Sequence, residues 1–215
     1  HDGYANMWMH VGLLQINSEK MSKSLGNFIT IKDALVDYHP EVLRYFMLSG
    51  HYHSPVNFSN KTLQGLSKSL SRWYLALQDV DWSHAEVISS YMQRFHEAMQ
   101  DDLNTPEVFA ICSELTKEIN RYKKQSDFDT AANYAATLKE MAGVLGLLQA
   151  EPREFLEQDM DDKEYVYIDQ LIAERKLARQ QKNWQRADAI RDELESKRIV
   201  VKDSTDGTKW YKKKD

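Results

Sequence analysis

From about residue 59 onward, large apolar side chains recur three and four positions apart. Leu63, Leu66, Leu70, Trp73 and Leu77 fall on one face of a helix. A second helix follows with Met92, Phe95 and Met99. A third opens at Asn104-Thr105-Pro106, a cap followed by proline in the first turn, and turns Val108, Ile111, Leu115, Ile119 and Tyr122 inward. A fourth, capped at Asp127, carries Tyr134, Leu138, Met141, Leu145 and Leu148. Gly143 and Gly146 within it would each cost about 1 kcal/mol relative to alanine, a sign of close packing. Four amphipathic helices in succession predict an up-and-down bundle over residues 58–150.

The flanks have other periods. Residues 7–16, "MWMHVGLLQI", are short and apolar and stop at Asn17-Ser18, which predicts a strand leading into a basic loop. Thr30 and Asp33 have the spacing of a capping box for a helix from Ile31 to about Tyr38. Pro40 opens another, with Val42, Leu43, Phe46 and Met47 inward and an end at Ser49-Gly50. Residues 150–163 are acidic, contain proline and keep no period, so a linker is expected over 151–165. Beyond it, Ile168, Leu171, Ile172 and Leu177 mark one helix, and Ala187, Ile190 and Leu194 a second. "RIVV" and "KWYK" around Asp203–Thr208 then predict a β-hairpin with a Gly-containing turn. The fold expected is mainly α, ending in a small α+β domain over 166–215.

Composition narrows the function. No run of about 18 apolar residues exists and the first 20 residues have no signal-peptide pattern, which makes a cytosolic protein the default expectation. Cys112, the single cysteine, lies among Ala110, Ile111 and Leu115 and reads as a small core hydrophobe. None of the seven histidines joins a ligand pattern, so no bound metal is expected. Charge is divided along the chain. Residues 1–162 hold 14 Lys+Arg against 23 Asp+Glu, net −9, whereas residues 163–215 hold 14 against 10, net +4. Such asymmetry points to a polyanionic partner for the tail, with a solvated charged helix as the alternative.

The loop Lys20-Met21-Ser22-Lys23-Ser24 offers two ammonium groups, hydroxyl donors and backbone N–H groups to one polyphosphate. Such a site stabilises charge that develops on phosphate oxygens when pyrophosphate leaves. With its flanks, "WMHVG", "KMSKSLGNF" and "LRYFMLSGHYHSPVNFS", it resembles the second signature of class I aminoacyl-tRNA synthetases. The similarity extends through "FHEAMQDDLNTPEV", "ERKLARQQKNWQRADAIRDEL" and "DSTDGTKW" to the cysteinyl-tRNA synthetase family and covers essentially the whole chain.

This resemblance implies the end of a nucleotide-binding domain with its KMSKS loop at 1–31, a short helical stem-contact segment at 32–57, the tRNA-binding bundle at 58–150 and an anticodon-binding domain at 166–215. The activity implied is formation of cysteinyl adenylate from ATP and cysteine, with Mg2+ accompanying ATP, then charging of tRNA(Cys). Lys23 would hold the phosphates, Lys20 assist, Met21 belong to the ATP loop, and Ser22 and Ser24 shape it. The family's His-rich signature and zinc ligands have no counterpart in these residues. A C-terminal portion, inactive alone, is therefore expected, either as a monomer or paired with its N-terminal half, and zinc is expected only in that half.

The resemblance also implies base recognition by the tail, where Arg179, Trp184, Asp188 and Asp203 would read the anticodon and Lys182, Arg186, Arg191 and Lys212–Lys214 would meet the backbone. Trp184 sits in the polar stretch "QQKNWQRAD", yet plugging the join between helices is its alternative role. Asp188 and Asp203 could equally be a helix-face charge and a turn former. Trp210 reads as core. His10 faces the nucleotide or, preferably, packs behind the strand. Asp101-Asp102 read as the close of the preceding helix, and with no histidine or third carboxylate at hand the paired carboxylates are not expected to be catalytic. His53 stands where the family commonly has arginine, which puts a phosphate contact there in question. Two other functions compete: a non-catalytic tRNA-binding fragment, which would not need the intact loop, and a cysteine ligase of the mycothiol type, which would lack the tail.

Overall fold

The computed structural model describes residues 4–22, 25–157, 162–204 and 207–212. It is mainly helical and divides into two compact units, residues 1–150 and 151–215.

The first unit starts with a three-stranded sheet ordered β2-β1-β3. Strand β1 (Leu14–Ile16) pairs antiparallel with β2 (Glu19–Lys20) and parallel with β3 (Val56–Phe58). Asn17 and Ser18 both take positive φ, 50° and 68°, which turns β1 tightly into β2. The strand expected over 7–16 is confined to its last three residues, because β3 supplies pairing partners only there. Met7, Trp8, Met9, Val11 and Leu13 lie before or at its edge and are exposed. Gly12 marks a close backbone approach: its N–H donates to the Tyr52 carbonyl at 2.7 Å. A Cβ built on it would meet the Ser54 oxygen at 2.1 Å, so any side chain would push the two segments apart.

Helix α1 (Ile31–Asp37) begins at the expected capping box, Thr30 accepting from the Asp33 N–H and Asp33 accepting from the Thr30 N–H. Helix α2 (Pro40–Leu48) buries Val42, Tyr45 and Phe46 but leaves Met47 55% exposed, contrary to its expected inward position. Four longer helices follow, α3 (Asn60–Leu77), α4 (Ser89–Gln100), α5 (Thr105–Lys124) and α6 (Phe128–Val144). Helix α5 packs most extensively on α6 and also on α3 and α4. Alanines 131, 132, 135 and 136 let α6 approach closely. Leu63, Leu70, Trp73, Leu77, Val108, Ile111, Leu115, Ile119, Leu138 and Met141 are all essentially sealed from solvent. Tyr122 is only half-buried and stacks on Tyr134 at 5.4 Å between ring centres.

Gly146 does not lie inside α6. It has φ +68°, and the helix ends in a Schellman turn: Leu147 N–H donates to Ala142 O and Gly146 N–H to Gly143 O, both at 2.9 Å. The expected cost of a helical glycine therefore applies to Gly143 alone. Beyond this turn, the buried Glu41 carboxylate accepts from the Tyr74 hydroxyl at 2.8 Å and from the N–H groups of Leu148, Gln149 and Ala150 at 2.8, 2.9 and 3.3 Å. A charge taken out of water is held in this way by four donors.

In the second unit, helix α7 (Pro152–Glu157) forms inside the segment expected to be linker, and its Phe155 is fully buried. Helices α8 (Asp162–Gln180) and α9 (Trp184–Ser196) pack together, followed by the antiparallel hairpin β4 (Ile199–Ser204) and β5 (Gly207–Lys212). Ile168, Leu171, Ile190, Leu194 and Ile199 form its core, with Ile172, Val201 and Trp210 packed against it. Leu177, expected inward, is 56% exposed. The buried stripe of α8 runs through Ile168, Leu171, Arg175 and Ala178, and position 177 falls beside it. Among the described residues no helix is long and apolar enough to cross a membrane.

Candidate nucleotide loop and RNA-binding face

Lys20 ends β2 with an exposed side chain, and Met21 and Ser22 are half-buried; Lys23 and Ser24 lie outside the described residues. Asn27, which the sequence reading passed over, ties the two ends of the loop together. Its Oδ1 accepts from Ser22 N–H at 2.9 Å while its Nδ2 donates to the Lys20 carbonyl at 3.2 Å. Ser22 Oγ in turn accepts from Leu25 N–H at 3.3 Å. The signal available was an asparagine directly after glycine, a pairing that favours side-chain closure of a turn. Met21 lines an apolar groove of about 970 Å3 together with Leu14, Phe28, Leu43, Phe46 and Phe58. The loop therefore has an apolar anchor and a polar latch, and α1 fixes its departure. The Thr30 bonds hold the Asp33 carboxyl below its ordinary value.

The turn after α2 gathers an unforeseen cluster. Tyr52 Oη donates to Asp102 Oδ1 at 2.7 Å, and His53 and His51 place Nε2 at 3.2 and 3.7 Å from Asp102 Oδ2. The imidazoles of His51 and His53 stack at 5.4 Å. Asp102 was expected to have no histidine near it; two are brought to it from fifty residues away. The Tyr52 hydroxyl, first, and then the neighbouring imidazoles lower its pKa. Asn104 supplies the cap of α5, its Oδ1 accepting from Glu107 N–H, while Thr105 instead donates to the Leu48 carbonyl at 2.7 Å. His10 is exposed and does not pack behind the strand. Cys112 is sealed in the core, and burial pushes its thiol up to about 12. Among the described residues no group of three His, Cys, Asp or Glu side chains, the Asp102 cluster included, is arranged to hold a metal ion.

In the second unit, Trp184 is the first residue of α9 and 58% exposed, so it does not plug the helix join. Asn183 caps that helix, accepting from Arg186 N–H at 3.2 Å. Arg179 near the end of α8, Lys182 in the intervening turn, and Asp188 and Arg191 on α9 are all exposed. Asp203 lies on β4 with its side chain outside those described; Lys213 and Lys214 lie outside the described residues. Arg186, expected to meet the RNA backbone, is paired within this unit. It donates to Glu174 through Nε at 2.8 Å and Nη2 at 3.1 Å. Trp210 packs on the core and donates Nε1–H to Asp169 Oδ1 at 3.0 Å.

Comparison with known proteins gives three matches in chain order. Residues 1–68 match the class I (C) tRNA synthetase catalytic domain, residues 94–149 the DALR domain, and residues 167–210 the cysteinyl-tRNA ligase anticodon binding domain. Cysteine–tRNA ligases from Coxiella burnetii, Azotobacter vinelandii and Idiomarina loihiensis are 46%, 45% and 47% identical, each over 96% of this chain. The chain spans about 45% of the length of these curated relatives. By these matches the chain belongs to the cysteinyl-tRNA synthetase family and corresponds to its C-terminal portion.

Proposed function

We propose that this chain acts as the C-terminal part of a cytoplasmic cysteine–tRNA ligase that forms cysteinyl adenylate from ATP and cysteine and charges tRNA(Cys). The observation that carries the reading is the Asn27-latched loop from Lys20, within the class I catalytic match, in one chain with an anticodon-domain match that exposes Trp184. Lys20 and Lys23 meet the charge that grows on the departing pyrophosphate, with Mg2+ carried on ATP. Met21 anchors the loop, and Ser22 and Ser24 add hydrogen bonds. The cysteine-selecting zinc site and first ATP signature belong, on this reading, to the part of the relatives outside these 215 residues, with the whole acting as a monomer or as two paired halves.

Residues 1–31 then complete the nucleotide-binding domain and 32–57 meet the acceptor stem. Helices α3–α6, as an up-and-down bundle over 58–150, support the tRNA, and 166–215, after a connection over 151–165, read the anticodon. Trp184 stacks on an unpaired base, Arg179 bonds acceptor edges, and Asp188 and Asp203 accept from base amino groups.

The test is titration of the 215-residue chain with tRNA(Cys) and with the same tRNA bearing a replaced anticodon. Tighter binding of tRNA(Cys) is expected, and Trp184→Ala weakens it by about 1–3 kcal/mol, the usual value of one stacked base. Equal affinity for the two tRNAs overturns the anticodon role.

A further inference from the structure

Two polar cross-links between α8 and α9 share one flank. Tyr167 Oη donates to Glu193 Oε1, and Arg186 grips both oxygens of Glu174. Lys197 Nζ sits 5.3 Å above the Tyr167 ring. Tyr167 and Glu174 are seven residues apart on α8, as are Arg186 and Glu193 on α9, so each helix presents its two members on one face, about two turns apart. The result is a clasp of two rungs. On α9 the buried stripe is Ala187, Ile190 and Leu194. At about 100° per residue, Arg186 and Glu193 project to one side of that stripe and Trp184 and Asp188 to the other.

Near its start α9 buries only Ala187, and one methyl group resists rotation of the helix very little. The Arg186 rung stands at that same end. We infer that the Glu174–Arg186 rung fixes the rotation of α9 about its axis, so that both are positioning residues for the flank carrying Trp184 and Asp188. This rests on the proposed base-reading role of Trp184. The guanidinium is engaged by the carboxylate through two parallel bonds, which orient it as well as hold it, and so it is not a generic phosphate contact. Glu174 and Arg186 hold each other charged, the carboxyl lowered and the guanidinium raised. Their side chains are 48% and 46% exposed, so the pair adds little to stability. Its effect falls instead on geometry.

The test uses the full 215-residue chain and two RNA hairpins, the anticodon stem–loop of tRNA(Cys) and the same hairpin with its anticodon bases replaced. Affinities are measured over a range of salt concentrations. Glu174→Gln and Arg186→Gln are each expected to lower the affinity ratio of the two hairpins by about two- to fivefold, the scale of one exposed ion pair, with the salt slope unchanged. Tyr167→Phe, which removes one hydroxyl from the other rung, lowers it by less. The exchanged pair E174R/R186E restores the ratio, which simple loss of folding would not allow. If instead Arg186→Gln weakens both hairpins equally and flattens the salt dependence, while Glu174→Gln strengthens both, Arg186 is a phosphate contact and the inference is overturned. If Trp184→Ala leaves the ratio unchanged, the base-reading role itself fails and the clasp's role falls with it. An unchanged ratio in both Gln variants, with Trp184→Ala effective, refutes the clasp alone.

Discussion

Trp73 in the helices of the first unit and Trp184 in the second unit are the same residue in opposite circumstances. Trp73 is 2% exposed, with Tyr45 and Phe109 at 5.1 and 5.8 Å from its ring; Trp184 is 58% exposed at a helix start. Their surroundings differ in the same way. Helices α3 and α5 bury long apolar rows, so their orientation follows from packing. Helix α9 buries Ala187, Ile190 and Leu194 and adds polar rungs at its edge. A broad core fixes geometry by exclusion of water, whereas a narrow one leaves part of that task to directional bonds. The narrow unit can then leave a large aromatic side chain in water, available to a partner.

The largest expected effect breaks this contrast directly. Trp73→Ala removes a sealed side chain and leaves a cavity, with an expected loss of about 3–5 kcal/mol in urea titration. Trp184→Ala, in the same measurement, should stay within about 0.5 kcal/mol of the parent, as surface changes away from buried networks do. Similar losses from both would mean that Trp184 is packed and not presented.

A smaller effect is expected at Glu41, where the first unit does rely on directional bonds. Glu41→Ala strips the N–H groups of Leu148, Gln149 and Ala150 and the Tyr74 hydroxyl of their shared acceptor. Bonds to a charged group at a buried site support a loss of about 1.5–3 kcal/mol. Hydrogen exchange should locate it: the amides of 148–150 accelerate most, and α9 is unaffected. Uniform acceleration across both units would contradict the local role.

The contrast also explains which parts of the molecule the sequence disclosed. Signals confined to a few neighbours were legible: the Thr30–Asp33 box, the Asn104 and Asp127 caps and the proline starts of α2 and α5 all stand where the spacing put them. Signals that depend on a distant partner were not. The length of β1 is set by β3 forty residues later, and Asp102 meets His51 and His53 only after the chain has returned. Gly146 was read as helical because apolar residues continue past it to Leu148, although they continue into a turn. In the tail, Leu177 and Arg175 exchanged places because a long arginine stem can cover apolar surface that hydropathy alone assigns to leucine. The Lys20–Ser24 loop was conspicuous by composition, but its latch Asn27 was not, since one asparagine beside glycine reads as an ordinary turn.

The smallest expected effect concerns acid. Tyr52's hydroxyl lowers the pKa of Asp102 in the first unit, and Arg186 lowers that of Glu174 in the second. Each folded-state value lies below the unfolded one, so each contribution is present above the ordinary carboxyl value, 3.8 for Asp102 and 4.5 for Glu174, and is lost as pH falls through the depressed value. Asp102→Asn should therefore flatten the acid limb of stability for the first unit and leave that of the second alone, while Glu174→Gln does the reverse. Urea midpoints taken from about pH 6 to pH 2, with exchange rates read separately in α5 and α9, check both. Because both carboxylates are solvent-facing, screening by salt shrinks each effect, and the shift should fade as ionic strength rises. An acid limb that ignores salt would instead place the responsible carboxylates away from solvent.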